Sequence, residues 1–250
     1  TVTALDPGPD AAHVHFDAGH GTQHAAARLL AVADGGAIAA MAQARTRDYH
    51  QAAVTARVAS SLPHRNVAYE RFTPDGPLAL LPAGDALALV WTTTPEQAQQ
   101  LCALPEAEFL QRLQHAFGRR LGAFSAVGAR AGFPLALRVA TRIAAPRMAA
   151  LGNAAQTLHP VAGQGLNLGL RDAWELASVI EGCGRDEIGG AAMLEAYRAR
   201  RRLDRGGGVW FTDTLARLFS NDIAPLRLAR GLGLALLGAA PPAKNFVVRR

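Results

Sequence analysis

The sequence has few cysteines, few charged residues and no long apolar run. Its only cysteines are Cys102 and Cys183, without CxxC spacing, which excludes a disulfide framework and the common zinc motifs. No apolar run reaches the roughly 18 residues of a membrane helix, and the opening "TVTALDPGPD" is not a signal peptide. Charged residues make up 18% against 50% hydrophobic, which excludes a disordered chain. We therefore expect a globular, cytoplasmic protein.

The basic excess of the chain is mild. Lys and Arg number 26 against 20 Asp and Glu, a net charge of +6 over 250 residues. Such an excess fits a membrane surface or an anionic cofactor, and we expect no nucleic-acid partner. The length allows one large domain or two small ones.

The first half of the chain carries strand signals. Residues 1–35 alternate polar and apolar positions, as in "HVHFDAG", and "RLLAVADGG" is an apolar run that stops at a turn. Between residues 50 and 95 the apolar segments are separated by Pro-Asp-Gly at 74–76 and Ala-Gly-Asp at 83–85, which predict hairpin turns. These patterns indicate antiparallel strands in sequence order.

One amphipathic helix is predicted to cover these strands. In "PEAEFLQRLQHAFGRRLGAF", the residues Phe109, Leu113, Phe117 and Leu121 recur at four-residue spacing, and Gly122 predicts the end of the helix. Two further strands are expected in "GFPLALRVATRI" and "RMAALGNAAQ".

The stretch "LGNAAQTLHPVAGQGLNLGLRDAWELASVI", residues 151–180, is the most informative. It joins an apolar strand through glycine turns to a helix predicted over 166–181. A helix N-terminus offers unpaired N–H groups and partial positive charge, and Gly163 and Gly165 allow a flat ligand to come close. Spacing alone leaves a second interpretation open, a glycine-rich turn with nothing bound.

The motif "GNAAQTLHPVAGQGLNLGLRDAWELA" resembles the second FAD-binding motif of the flavoprotein aromatic hydroxylases, in particular their ubiquinone-biosynthesis branch. "VADG" at 32–35 resembles the Asp-Gly motif of that family. The segments "YERFTPDGPLALLP", "LVW" and "RLQHAFGRRLG" resemble its substrate domain in the same order. The likeness covers nearly all of the chain.

The resemblance implies FAD as the cofactor and NADPH or NADH as the reductant. It implies that Gly152 and Asn153 lie near the ribityl or pyrophosphate part of FAD and that Pro160 faces the isoalloxazine. Further positions are implied for the pyrimidine edge of the flavin (Gly163, Gln164, Gly165, Leu166 and Asn167) and for the border of the nicotinamide path (Asp34 and Gly35). The chain departs from the family at Gly36, Ala37 and Ile38, which puts nicotinamide handling in doubt.

A G-x-G-x-x-G segment is missing from the sequence. The family opens with a βαβ unit that carries this motif, whereas here only fragments such as Gly163-Gln-Gly165 occur. We therefore expect a fragment that lacks the N-terminal βαβ unit and is inactive by itself. The expected fold is α/β: a partial FAD domain from residues 1–44 and 146–250, the latter with C-terminal helices, and an antiparallel-sheet substrate domain at 45–145.

The resemblance implies chemistry carried by the cofactor, in which a flavin C4a-hydroperoxide passes hydroxyl to a polyprenylated phenol. No metal is expected: His13 and His15 share a strand face but have no carboxylate pattern beside them. His159 is a candidate for proton movement near the ring, and a hydrogen-bonded structural role in the turn is the alternative.

Several partners remain open at this point. The basic run "YRARRRLDR" at 197–205 and the leucine-rich "PLRLARGLGLALLGAAPP" suggest peripheral contact with the inner membrane, and packing on a further half-domain is the alternative. A non-catalytic scaffold in a multiprotein ubiquinone-biosynthesis complex is the second function class. An apolar surface left by a lost half-domain predicts self-association of the chain.

Overall fold

The computed structural model describes residues 2–19, 21–35 and 44–219, together with residues 233, 239 and 240. Gly36, Ala37 and Ile38 lie outside the described residues, as does nearly all of the leucine-rich segment at 225–242. The chain divides into two compact units. The first comprises the described residues of Thr1–Tyr49 and Ala136–Thr214, and the second those of His50–Leu135 and Leu215–Arg250.

The described residues form thirteen strands and four α-helices in a mixed α/β order. The strands are β1 Val2–Pro7, β2 Ala12–Asp17, β3 Thr22–Ala27, β4 Leu30–Val32, β5 Ala44–Ser60, β6 Tyr69–Thr73, β7 Gly76–Ala83, β8 Ala86–Thr93, β9 Phe124–Val127, β10 Ala131–Ala140, β11 Ala144–Ala145, β12 Met148–Ala150 and β13 Gln156–Thr157. The helices are α1 Pro95–Ala103, α2 Glu106–Phe117, α3 Gln164–Glu181 and α4 Ala191–Phe219. The α/β class, with antiparallel sheets and helices toward the C-terminus, is confirmed.

In the first unit, strands β1, β2 and β3 form an antiparallel meander, as the alternation in residues 1–35 predicts. A second sheet has the order β11-β12-β4, in which β12 and β4 run parallel. The core of this unit packs alanines of β12 against Leu176 and Val179 of α3 and Met193 and Tyr197 of α4. The small alanine side chains let the two helices approach the short sheet closely.

The second unit contains an antiparallel sheet in the order β5-β8-β7-β6, with β9 also paired to β5. Both predicted hairpins are confirmed: Thr73 pairs with Gly76, and Ala83 pairs with Ala86 across a two-residue loop. Gly84 in the second loop has φ of +70°, a conformation that favours glycine.

The prediction of one helix closing at Gly122 is wrong. Two helices cover the sheet, α1 and α2, and the second ends at Gly118, which has φ of +90°. All four residues of the predicted stripe are nevertheless buried, including Leu121, which follows the end of α2. The apolar periodicity continued past the helix because the next turn also packs on the core, and sequence spacing does not distinguish the two cases.

Candidate cofactor site

The loops after β4 and β12, which are distant in sequence, leave the same end of this parallel strand pair. Leu30 pairs with Met148 and Val32 with Ala150, and the Leu151 N–H donates to the Val32 carbonyl at 2.9 Å. Asp34-Gly35 and Gly152-Asn153 each begin two residues after the end of their strand, β4 and β12 respectively. Ligands of α/β proteins commonly bind at the carboxyl ends of parallel strands, and both sequence motifs follow such ends.

Helix α3 begins beside these loops without a capping side chain. Its N-cap is Gly163, with φ of 59° and ψ of 24°, and no acidic residue stands in the first turn. A helix that begins so leaves backbone N–H donors and partial positive charge available to a ligand. The helix starts at Gln164, two residues before the predicted start.

The glycines of this turn border open space. A Cβ built on Gly163 or Gly165 would meet no atom of the described residues within 4 Å. Gly152 has φ of +54°, similar to the 59° of Gly163, and a Cβ on it would lie 3.9 Å from the Gly169 Cα in α3, an ordinary contact. The positive φ therefore favours glycine at Gly152 and Gly163, whereas at Gly165 nothing in the described fold requires it.

The structure leaves the implied cofactor residues accessible at the surface of the first unit. Leu166 is 73% exposed. Others are also exposed, namely Asp34, Gly35, Asn153, Pro160, Gly163 and Asn167, while Gly152, Gln164 and Gly165 are half-buried.

A buried polar network contacts the segment 151–156 that follows β12, here called the β12 loop, and sequence reasoning missed it. The Asp172 carboxylate on α3 accepts from the Gly152 N–H at 2.9 Å and from Gln156 Nε2 at 2.7 Å. Its other oxygen accepts from Arg201 Nε at 2.6 Å, and Arg201 also donates to Asp204 at 2.6 Å. The side chains of Arg201 and Asp172 are 2% and 1% exposed, so this ion pair is inside the protein.

Arg205, one helical turn further along α4, extends the network. It donates to Gln156 Oε1 at 2.8 Å and to the carbonyls of Ala140 and Ala155. Burial lowers the pKa of Arg205. The Arg205 guanidinium therefore connects the end of β10 and the β12 loop to helix α4.

Tyr197 completes the attachment from the first turns of α4. Its hydroxyl donates to the Ala150 carbonyl at 2.9 Å, at the end of β12. Burial, together with the negative charge of Asp172, raises the pKa of Tyr197, so the hydroxyl keeps its proton.

The charged form of Arg201 is stabilised by its two carboxylate partners. Burial alone would lower the pKa of Arg201, but the hydrogen bonds to Asp204 and Asp172 outweigh burial and raise this pKa.

His159 lies in the interior of the loop, 1% exposed. Its Nδ1 accepts from the Val161 N–H at 3.1 Å, and its ring lies edge-on to Tyr49 with 5.1 Å between centroids. Burial lowers the pKa of His159 to about 4, so the ring is neutral at neutral pH. The accepting Nδ1 gives His159 a defined place in the turn, and its role in proton movement stays a prediction.

The basic run at 197–205 lies on α4, and two of its arginines serve the interior. Arg201 and Arg205 donate hydrogen bonds within the buried polar network. Two of the run's other arginines, Arg198 and Arg200, form surface ion pairs with Glu195 and Glu175. A basic run with aspartate and tyrosine at helical spacing is the signal that could have indicated this network.

The residues present fit a flat cofactor with an electron-rich edge. The open positions at Gly163 and Gly165, the uncapped N–H groups of α3 and the absence of acidic side chains in its first turn all favour such a ligand. Within the described ranges, no three His, Cys, Asp or Glu side chains gather as a metal site requires. Over the same part of the chain, no helix combines the length and apolar character needed to cross a membrane.

This combination of a parallel strand pair, a glycine loop and an open helix N-terminus defines a dinucleotide-binding α/β protein. The model of the FAD binding domain family matches residues 6–205, and the chain belongs to that family. The family cofactor is FAD.

Two relatives carry names that refer to ubiquinone. Ubiquinone hydroxylase UbiL of Rhodospirillum rubrum is 42% identical over 82% of this chain and 48% of its own length. The mitochondrial ubiquinone biosynthesis monooxygenase COQ6 of Homo sapiens is 33% identical over 80% of this chain and 51% of its own. The chain thus spans about half the length of the curated relatives it matches.

The fold is shared with a solved structure. The p-nitrophenol 4-monooxygenase PnpA from Pseudomonas putida DLL-E4 superposes with a TM-score of 0.77 at 18% identity, over 98% of this chain and 64% of that one. This likeness establishes the fold. The resemblance of the chain to FAD hydroxylases of the ubiquinone-biosynthesis branch is confirmed by the family and the relatives.

Proposed function

We propose that the protein to which this chain belongs is a flavin-dependent monooxygenase that hydroxylates the aromatic ring of a polyprenylated phenol in ubiquinone biosynthesis. The observation that carries the proposal is that Asp34-Gly35 and Gly152-Asn153 follow two strands paired in parallel, while α3, which begins without a capping side chain, packs against Gly152. The names of the relatives supply the pathway. The finer assignment, a hydroxylase of the 2-polyprenyl-6-methoxyphenol type, rests on the resemblance in sequence.

The residues of the loop would hold FAD in a defined order. Gly152 and Asn153 would lie near its ribityl or pyrophosphate part, and Pro160 would face the isoalloxazine. The N–H groups at the start of α3, from Gln164 onward, would donate to the pyrimidine edge. Gly163 and Gly165 would let the ring come close, because a side chain at either position would occupy that space.

When bound and reduced by NADPH or NADH, FAD supplies the oxygen activation that this chemistry needs. The chain contributes placement. Asp172 fixes the Gly152 N–H through a 2.9 Å hydrogen bond, and Tyr197 fixes the strand end before it. We further propose that residues 1–44 and 146–250 belong to the FAD domain and that the sheet within 45–145 contributes the substrate domain.

FAD binding is the first test. The purified chain and a longer protein that contains it are titrated with FAD, and quenching of flavin fluorescence is followed. Saturable binding by the longer protein, weakened in Gly165→Asp and retained in Gly207→Asp, supports the proposal. No binding by either protein contradicts it.

Hydroxylation is the second test. The longer protein is supplied with FAD, NADPH, oxygen and a short-chain 2-polyprenylphenol, and the product is analysed by mass spectrometry. A gain of one oxygen atom that depends on FAD is expected. Reductant oxidation without oxygen insertion would refute the assigned substrate class while leaving the flavoprotein assignment in place.

An exposed apolar row favours the second candidate, a non-catalytic component of a quinone-biosynthesis complex. Leu166, Leu170 and Trp174 follow one another at four-residue spacing on α3 and are 73%, 61% and 73% exposed. Large apolar side chains grouped in this way are typical of protein interfaces. A Gly165→Asp protein that no longer binds FAD but still supports quinone formation in cells would establish this alternative.

A further inference from the structure

A cavity of about 740 Å³ lies in the first unit. Its walls come from the start of β5, from β10 with the turn after it, and from α4. None of the residues 151–167 contributes to it, so an inference about this cavity is independent of the proposed FAD site. Its volume lies in the range of small-molecule sites.

The cavity is strongly basic, since seven arginines line it against two carboxylates. Arg47 pairs with Asp213 at 2.8 Å, and Arg198 pairs with Glu195 at 2.9 Å. For three others, Arg45, Arg142 and Arg202, no carboxylate of the described residues lies within ion-pair distance. Among the described residues, the acceptors of Arg205 are all neutral. The positive charge of the wall is thus largely uncompensated.

Arg201 provides a second, independent observation. This cavity-lining residue is 1% exposed, and its Nε and Nη1 are used by Asp172 and Asp204. Its Nη2 is buried and has no hydrogen-bond partner among the described residues. A buried guanidinium N–H without an acceptor is costly, and such a group in a native protein commonly marks the place of a ligand or an ordered water.

We propose that this cavity binds the phosphate group of an anionic ligand. Arginine presents planar pairs of N–H donors that match two phosphate oxygens at once, whereas lysine offers a single point charge. Several arginines around one cavity therefore favour a phosphate ligand. The candidate donors among the lining residues are Arg45, Arg142 and Arg202, together with the buried Nη2 of Arg201. The positive field of the cavity also attracts anions from solution.

The apolar part of the cavity wall fits a ligand in which an apolar group is attached to the phosphate. Leu137, Val139, Ile143 and Val209 line the cavity, and Trp210, which is 69% exposed, stands beside them. A phosphodiester or phosphomonoester with an apolar part satisfies both surfaces, whether it comes from a phospholipid headgroup region or from a soluble phosphate compound. The shared chemistry is the phosphate.

Trp210 makes the test direct, because its indole borders the cavity. The purified chain is titrated with inorganic pyrophosphate, with dihexanoyl-phosphatidylglycerol as separate molecules below micelle formation, and with the zwitterionic phosphatidylcholine of equal chain length. A saturable change of tryptophan fluorescence is expected for at least one anionic probe and is expected to vanish in Trp210→Phe. Binding is expected to weaken with rising salt.

Two variants separate the cavity from general basicity. Arg142→Gln combined with Arg202→Gln is expected to weaken binding roughly tenfold or more, because two phosphate donors are lost. Arg200→Gln is the matched control on the same helix, since Arg200 pairs with Glu175 and does not line the cavity. Both altered positions are exposed at the surface, so folding is preserved and is verified by circular dichroism.

The outcomes distinguish the sources of the phosphate. Binding of pyrophosphate alone identifies a soluble phosphate ligand, and binding of phosphatidylglycerol alone identifies a lipid headgroup; binding of both supports the shared chemistry. No saturable signal with either anionic probe, equal binding of phosphatidylcholine, or equal weakening in Arg200→Gln would overturn the proposal.

Discussion

Asp172 and Arg201 form an ion pair of 2.6 Å between two helices, and both side chains are almost fully buried. The pair joins α3 to α4, and the same carboxylate accepts the backbone N–H of Gly152 in the β12 loop. A contact between two helices therefore sets the position of a loop that belongs to neither.

Replacing Asp172 with Asn is expected to destabilise the chain by about 3 kcal/mol or more, because the Arg201 charge loses its fully buried partner. The measurement is the free energy of unfolding from urea denaturation. Asp85→Asn is the control: Asp85 is exposed and lies 3.8 Å from Arg57, so unchanged stability is expected. Equal midpoints for the two variants would show that the buried pair contributes little.

His159 is expected to make stability depend on pH. Its pKa is about 4 in the folded chain and near 6.5 when unfolded, so the unfolded state takes up the proton first as the pH falls. This contribution is complete above about pH 6.5 and is lost toward pH 4, a decrease of about 3 kcal/mol.

Urea unfolding at a series of pH values measures this decrease, and His159→Asn is expected to reduce it. The Asn amide oxygen can replace Nδ1 as the acceptor of the Val161 N–H. His115→Asn, at an exposed position on α2, serves as the control and leaves the slope unchanged. A slope that persists in His159→Asn would assign the pH dependence to other groups.

Gly165→Asp is expected to leave the fold intact and to weaken FAD binding at least about tenfold. The new Cβ meets no atom of the described residues within 4 Å, and a carboxylate in the first helical turn is favourable for the helix itself. The same carboxylate would occupy the space and repel the electron-rich edge of the flavin. Flavin fluorescence titration and thermal unfolding together separate the two effects, since a variant that merely unfolds loses both signals.

The three successive glycines within α4 are expected to respond differently to substitution. A Cβ on Gly207 meets no atom within 4 Å in the part of the chain that the structure describes, so Gly207→Ala is expected to stabilise the chain by about 1 kcal/mol through helix propensity. A Cβ on Gly208 would lie 2.9 Å from Leu168 Cδ1, so Gly208→Ala is expected to be less stable than Gly207→Ala. Thermal unfolding of the two variants side by side decides the order.

The chain is expected to self-associate through the apolar row on α3. Leu170→Lys places a charge in the middle of the row and is expected to shift the equilibrium toward monomer. Light scattering across a dilution series measures the change. Leu203→Lys, at a residue 80% exposed on α4, is the control. A wild-type chain that is monomeric at every concentration would refute the prediction.

Local signals in the sequence predicted most strands and both hairpins. The turns at 74–76 and 83–85 depend on residues adjacent in the chain, and glycine chemistry there leaves few alternatives. The end of α2 was missed because Leu121 keeps the apolar spacing after Gly118 has already ended the helix. A buried turn and a buried helix show the same pattern at that point.

The solvent-exposed part of the candidate site could also be predicted from the sequence. The glycine loop, its following helix and the Asp34-Gly35 turn are continuous motifs, and the structure adds that Asp34-Gly35 and Gly152-Asn153 follow two strands paired in parallel. The supporting half was not, because Asp172 and Arg201 are far apart in sequence and each stands on a helix where charges usually face solvent. Their pairing depends on how α3 and α4 pack.

The attachment of the β12 loop has a consequence for binding entropy. Asp172, Arg205 and Tyr197 each hold a backbone group or side chain of the segment 150–156, so the described fold shapes this segment with internal contacts alone. A preorganised loop loses little conformational freedom when a ligand arrives, and the interaction energy is then expressed as affinity. Loosening any one anchor is therefore a way to tune cofactor retention without altering a single residue that the cofactor would contact.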